Sequence, residues 1–258
     1  SWLGLSYAPQ QNINYRDRIP VRAAGMAWAE IALSYANTFY QRGFDVWTTG
    51  ISVKRAMAFG GFYLYTSDLD YVIPDDTTII VNNLNADMGF AGPIDYQTNS
   101  FNTNPLFKGK GFGVDVGITY KRLLRYHSDE DYGPLCAYPY AEYKYRIGIA
   151  LLDFGGVQFK SNAVKMKIDN RSSTWENVDD LPFTNLDQFL DTLSYKFYGD
   201  YTSARVADGY FQWLPLAFSA QFDYRLTKQW YLNASLIHGI PLAKSLIVRP
   251  PELAITPR

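Results

Sequence analysis

Residues 215–226, PLAFSAQFDYRL, alternate with a period of two. Leu216, Phe218, Ala220, Phe222, Tyr224 and Leu226 fall on one side, and Ala217, Ser219, Gln221, Asp223 and Arg225 on the other. Only an extended strand separates two such sets, because successive side chains of a strand point to opposite faces. The polar link Thr227–Lys228–Gln229 leads into a second run, in which Trp230, Leu232, Ala234 and Leu236 oppose Tyr231, Asn233 and Ser235. Two alternating runs joined by a few polar residues read as a hairpin.

The same pattern recurs along the chain. In GVDVGITY, Val114, Val116, Ile118 and Tyr120 oppose Gly113, Asp115, Gly117 and Thr119. In YKYRIGIAL, Tyr143, Tyr145, Ile147, Ile149 and Leu151 oppose Lys144, Arg146, Gly148 and Ala150. Ile31, Leu33 and Tyr35 oppose Glu30, Ala32 and Ser34. Residues 44–54 and 57–66 continue it less cleanly, and further strands are expected near 77–90, 156–168 and 245–249. About ten or more strands result. A short link is expected at Gln41–Arg42–Gly43 and long loops at 91–110, 125–139 and 169–183. No linker divides the chain, so 1–258 reads as a single domain. One segment breaks the period: in 184–198, Leu186, Phe189, Leu190, Leu193 and Phe197 stand at helical spacing, and Thr184 with Asp187 resembles a capping box. This predicts one short amphipathic helix, too polar to span a bilayer.

Composition narrows what these strands serve. Aromatics make up 17% of the 258 residues, with 21 Tyr, while mean hydropathy is -0.20. No stretch approaches ~18 apolar residues, so no transmembrane helix is expected. A membrane barrel escapes that test, since its alternating strands average to a soluble value. Net charge is -1, which argues against nucleic acid as a partner. A single cysteine, Cys136, excludes an intrachain disulfide, and two histidines, His127 and His238, offer little for a metal site. The first residues, SWLGLSYAPQQ, lack the basic and apolar regions of a signal peptide.

Alternation alone leaves a soluble sandwich, a lipocalin-like barrel and a membrane barrel open. The polar sides mix Gly, Ser and Ala with opposite charges, which suits a crowded, wet lumen. Aromatics gather at strand ends, at Tyr35, Phe39 and Tyr40, at Tyr120 and Tyr126, at Tyr138, Tyr140 and Tyr143, and at Trp230 and Tyr231. An interfacial girdle requires such rings. The expectation is therefore an all-β antiparallel membrane β-barrel in contact with lipid. Its lumen would be lined by Glu30, Asp115, Lys144, Arg146, Gln221, Asp223 and Arg225. Its lipid-facing set would include Val114, Val116, Ile118, Ile147, Ile149, Phe218 and Phe222.

The segments GKGFGVDVGITYKRL (109–123), YRIGIALLDFGGVQF (145–159) and PLAFSAQFDYRLTKQWYLNASLIHGI (215–240) resemble a Bacteroidota family of outer-membrane barrel proteins, catalogued as a domain of unknown function. Residues 34–54 and SDLDY (67–71) fit it too. The resemblance implies an outer-membrane location and no known catalytic residues. Such barrels end in a strand closing on a terminal aromatic, whereas this chain stops at PPELAITPR; a barrel incomplete at both ends is expected.

Motifs that invite chemistry have plainer readings. Gly109, Gly111 and Gly113 precede a strand rather than a helix, so close packing or a bulge is expected in place of a phosphate loop. Asp153–Phe154–Gly155 spells the kinase magnesium motif without its companions and reads as a strand end and turn. Ser235 and His238 differ by an odd number and point to opposite faces of a strand, so with Asn233 they do not assemble a hydrolase. The acidic groups Asp68/Asp70, Asp75/Asp76, Asp129/Glu130/Asp131 and Asp179/Asp180 match no EF-hand spacing and read as solvated loop charge. No cofactor or metal is expected. The expected function is non-enzymatic: a channel or transporter for small or hydrophobic molecules, or a structural component of an envelope or secretion assembly with protein partners. The alternative is a soluble secreted β-sandwich or lipocalin-like barrel binding a glycan or lipid.

Overall fold

The computed structural model describes residues 10–17, 20–127, 143–178, 184–227 and 229–258. It is an all-β antiparallel sheet with one short helix. The elements are β1 (Asn14–Asp17), β2 (Val21–Val72), β3 (Ile79–Ala91), β4 (Gly109–His127), β5 (Tyr143–Phe159), β6 (Ala163–Trp175), α1 (Leu186–Tyr198), β7 (Arg205–Ala207), β8 (Tyr210–Trp213), β9 (Ala217–Arg225), β10 (Tyr231–Gly239) and β11 (Glu252–Pro257). All eleven strands join one sheet, in the order β11-β10-β9-β5-β4-β2-β3-β6-β7, with β1 on β2 and β8 on β5. Among the described residues the sheet is not closed.

β2 is folded back on itself at the expected link. Gly43 has φ 62, a conformation that a residue without Cβ adopts at little cost. Ser34 bonds Ser52 at 2.7 Å and Thr38 bonds Thr48 at 3.0 Å, and both pairs lie symmetrically about Gly43. β1 continues the first arm, since Asn14 faces Val72 and Asp17 faces Leu69, again symmetrically about Gly43. Each arm of this hairpin is on the order of 95 Å long at ~3.3 Å per residue.

The second arm changes partner part-way. From Gly43 to Ala58 it pairs with β4, and from Gly61 to Val72 with β3. Alternation reverses at the same place: Ala56 and Ala58 are buried, then Tyr63 is buried while Phe62 is exposed. This junction divides the sheet into two regions. On the far side, α1 lays Leu190 and Phe197 against Val81, Ala86, Met166 and Ile168 of β3 and β6. Under the junction, Ala56, Ala58, Tyr63, Val157, Phe159, Tyr210 and Leu214 form a further core. On the Gly43 side, by contrast, the large apolar residues of one face remain exposed.

Several boundaries differ from expectation. The stretch 156–168 is two strands, parted by a turn in which Asn162 takes φ 48 and its side-chain amide donates to the Gly92 and Ile94 carbonyls. The expected strand at 245–249 is a loop, and pairing resumes at β11, where Leu236 faces Leu253. The expected loop 169–183 begins as strand, because β6 stays hydrogen-bonded to β3 as far as Trp175. Likewise β4 runs to His127, while the remainder of the 125–139 loop, with Cys136, Tyr138, Tyr140 and the 129–131 acidic group, lies outside the described residues. So does the Asp179/Asp180 pair. The helix starts at Leu186, with Asn185 as its cap: the Asn185 side chain accepts from Gln188 N–H, and Gln188 Oε1 accepts from Thr184. The box is thus shifted one residue from Thr184–Asp187.

Candidate functional site

Register decides which side chains share a face. On one face of the Gly43 region, Ile51, Val116, Leu151 and Phe218 stand abreast. Next to them run Thr49, Ile118, Ile149, Ala220, Leu236 and Leu253, and then Trp47, Tyr120, Ile147, Phe222, Ala234 and Ile255. Val116 is 47% exposed and Ile149 46%, although both lie on central strands. Rings border this apolar field at both ends. Toward Gly43 stand Phe39, Trp47, Tyr120, Tyr145 and Tyr224, with Trp47 and Tyr120 centred 4.8 Å apart. Toward the junction stand Phe112, Phe154, Phe211 and Trp213, with Phe112 beneath the Arg55 guanidinium. From Phe112 to Tyr120 along β4 is roughly 27 Å at ~3.4 Å per residue.

The opposite face is polar and small. Thr48, Thr119, Gly148, Gln221, Ser235 and Ala254 form one row across it. Its charges gather at the two ends. Toward the junction, Lys54 Nζ lies 2.8 Å from Asp115, 2.6 Å from Asp153 and 3.8 Å from Glu30, with the Lys54 side chain 12% exposed. Three carboxylates surround one ammonium there. Toward Gly43, Asp223 Oδ2 accepts from Tyr143 O–H at 2.5 Å, Arg146 at 3.3 Å and Arg258 at 2.8 Å, and the Asp223 side chain is 1% exposed. Lys121 faces Arg146 in the same row. Asp115 and Lys121 are about 20 Å apart along β4.

The sequence-derived residues therefore fall into two sets on two faces. Val114, Val116, Ile118, Ile147, Ile149, Phe218 and Phe222 share the apolar one, and Asp115, Arg146, Gln221, Asp223 and Arg225 the polar one, where Glu30 joins them through Lys54. Lys144 is in neither set: it is the extra residue of an irregularity in β5, since Arg122 faces Tyr145 while Leu123 faces Tyr143. Contacts unite Glu30 with Asp115 through Lys54, and Arg146 with Asp223. Arg225 Nε donates to the Thr227 carbonyl, and its guanidinium covers Tyr231. Lys144 and Gln221 are both exposed.

Sequence reasoning missed Lys54, Asp153, Tyr143 and Arg258. Asp153 is no strand end. β5 carries an extra residue there, since Phe154 faces Val114 while Leu151 faces Val116. Asp153 takes φ 58 in this bulge, and its N–H donates to Asp115 Oδ1 at 2.8 Å. Parity alone would put its carboxylate beside Leu151, and the bulge turns it to Lys54. The glycines of GKGFG are packing residues: a Cβ on Gly111 would overlap the Gly156 carbonyl. Ser235 and His238 stand on opposite faces, opposite Gln221 and Phe218 respectively. Also missed is Lys108, buried at the junction with no hydrogen-bond partner for Nζ among the described residues. Burial holds its ammonium below the ordinary lysine value.

Among the described residues, no group of three or more His, Cys, Asp or Glu is placed to hold a metal, and no helix is long and apolar enough to cross a membrane. The model of a family of unknown function, DUF5723, matches residues 6–244. The chain belongs to this family. Its match spans both regions of the sheet and the helix. Neither a curated protein nor a solved structure matches the chain.

Proposed function

We propose that the Gly43 region is a wall of an outer-membrane β-barrel, with its apolar face in lipid and its polar face toward a lumen. The observation that carries this reading is the exposed apolar field in strand register, bordered by rings about 27 Å apart along β4. With strands tilted by about 35–45°, that length along β4 gives an apolar height of roughly 20 Å, close to the ~25 Å band of such barrels, and its rings match their interfacial girdles. In water the same field would be an exposed apolar patch far larger than soluble monomers present. The hairpin arms are several times longer than the ~9–11 residues a bilayer needs. On this reading the junction marks where the chain leaves the bilayer, and the helix-covered region lies outside it.

The function that fits is non-enzymatic: a channel or transporter for small or hydrophobic molecules, or a structural part of an envelope assembly. The lumen face carries small residues between two charge clusters, and these clusters brace neighbouring strands while leaving the middle open. The resemblance to Bacteroidota outer-membrane barrels agrees with this reading. Flotation with phospholipid vesicles tests it. The protein should float with the lipid, need detergent for extraction and shift its gel mobility on heating. A protein that stays dispersed without detergent and ignores vesicles would instead be a soluble β module.

A further inference from the structure

A charged pair lies on the apolar face beside its ring border. Asp45 faces Arg122 in register, just past an irregularity between Gly43 and Asp45. Arg122 Nη1 and Tyr120 O–H both donate to Asp45 Oδ1, each at 2.6 Å. Arg122 also lies over the Phe44 ring, 5.2 Å from its centre. Phe39, Tyr40, Trp47 and Ile118 complete a depression of about 740 Å³ around this pair. The Asp45 and Arg122 side chains are 34% and 40% exposed, so the pair opens into the depression.

We propose that this depression is a binding site for a membrane phospholipid whose headgroup carries both a phosphate and a primary ammonium. The proposal rests on the lipid-facing reading of the apolar field. Both contacts within the cluster fall on Oδ1, so Oδ2 is the oxygen left to accept from a ligand donor. A guanidinium has five N–H groups in a planar fork suited to phosphate, and the Asp45 contact is made from Nη1 alone. Phosphate on Arg122 and ammonium on Asp45 thus match a zwitterionic head in sign. The depression sits at the ring border, the depth that headgroups occupy. Ile118 leads from it into the aliphatic rows, where an acyl chain lies. A purely anionic head would meet the Asp45 carboxylate, and a quaternary ammonium has no N–H to donate to it.

Native mass spectrometry of the full chain in detergent, titrated with short-chain phosphatidylethanolamine, phosphatidylglycerol and phosphatidylcholine, tests the proposal. Phosphatidylethanolamine should be retained best. Arg122→Gln should weaken all three by about tenfold, the scale of one charge-assisted contact. Asp45→Asn keeps an oxygen that accepts from Tyr120 and Arg122. It should therefore stay folded, as the heat-shifted gel band reports, and lose the preference for phosphatidylethanolamine over phosphatidylcholine. Gln221→Ala, on the opposite face, should change nothing. Equal retention of the three lipids, or an Asp45→Asn variant that keeps the preference, would overturn the site while leaving the membrane reading intact. A protein that enters neither detergent nor vesicles would overturn both.

Discussion

Placing an arginine at Val116 asks the apolar face directly what it touches. Val116 lies midway along β4 between Phe112 and Tyr120, about 13 Å from each. Its in-register neighbours are Ile51 and Leu151. If the ring borders mark the two interfaces, Val116 sits at the bilayer midplane. A cation on the lipid face there costs about 2–4 kcal/mol, falling to about 0–1 kcal/mol near the interface. That midplane cost is roughly a 30- to 1,000-fold change in the folding equilibrium. Were the face in water, the same substitution at a 47% exposed residue would change stability by only ~0.5 kcal/mol. Leu232→Arg is the matched comparison. Leu232 lies opposite Tyr224, in the row that ends at Asp45 and Arg122, at the interface. Urea unfolding from vesicles, followed by tryptophan fluorescence, should show Val116→Arg losing at least ~1 kcal/mol more than Leu232→Arg. Equal losses at the two depths, or losses within ~0.5 kcal/mol at both, would refute the assignment of this face to lipid.

Other outcomes follow from single contacts. Lys54→Met leaves Glu30, Asp115 and Asp153 facing one another and should cost about 1–3 kcal/mol, discounted from a fully buried pair for partial exposure; adding Asp115→Asn should recover part of the loss in the same urea titration. Lys108→Met replaces an unpartnered buried ammonium with an apolar chain of similar length, so the midpoint should rise by an equivalent of about 1–3 kcal/mol; a fall would mean that the ammonium has a partner in solution. Asn185→Ala removes the cap of α1 and should cost about 0.5–2 kcal/mol, detectable as faster proteolysis near 184–198. Burial pushes the Tyr96 hydroxyl up to about 12, and those of Tyr63 and Tyr210 up as well. Each holds its proton more tightly folded than unfolded, so their stabilisation is complete below pH ~10 and is lost as pH rises from ~10 toward ~12. Midpoints at pH 9 and pH 11 should show that loss, and Tyr96→Phe should reduce it.

The two-residue period was enough to assign faces. A side chain's face depends on local parity, which the chain spells out residue by residue, so the Val116 and Asp223 sets separate without any knowledge of neighbours. The helix was legible for the same reason: Leu186, Leu190, Leu193 and Phe197 fit no strand. The Gly43 turn showed as a short polar link between two runs. Neighbours are another matter. Lys54 and Asp153 are 99 residues apart and meet at 2.6 Å because β4 lies between their strands in one register. Nothing local to either residue encodes that register. Where the backbone departs from regularity, parity itself misleads. The bulge at Asp153 turns a carboxylate from the apolar face to Lys54, and the reversal near Gly60 sends Tyr63, rather than Phe62, into the core. β11 escaped notice because its fully exposed residues take their strand conformation from hydrogen bonds to β10. The sequence by itself thus determined an all-β chain with one polar and one apolar face. The tertiary structure alone decided which charges pair, where the sheet changes partner and where the apolar face stops being covered. Those outcomes depend on hydrogen-bond register between distant strands, a long-range property that no local pattern carries.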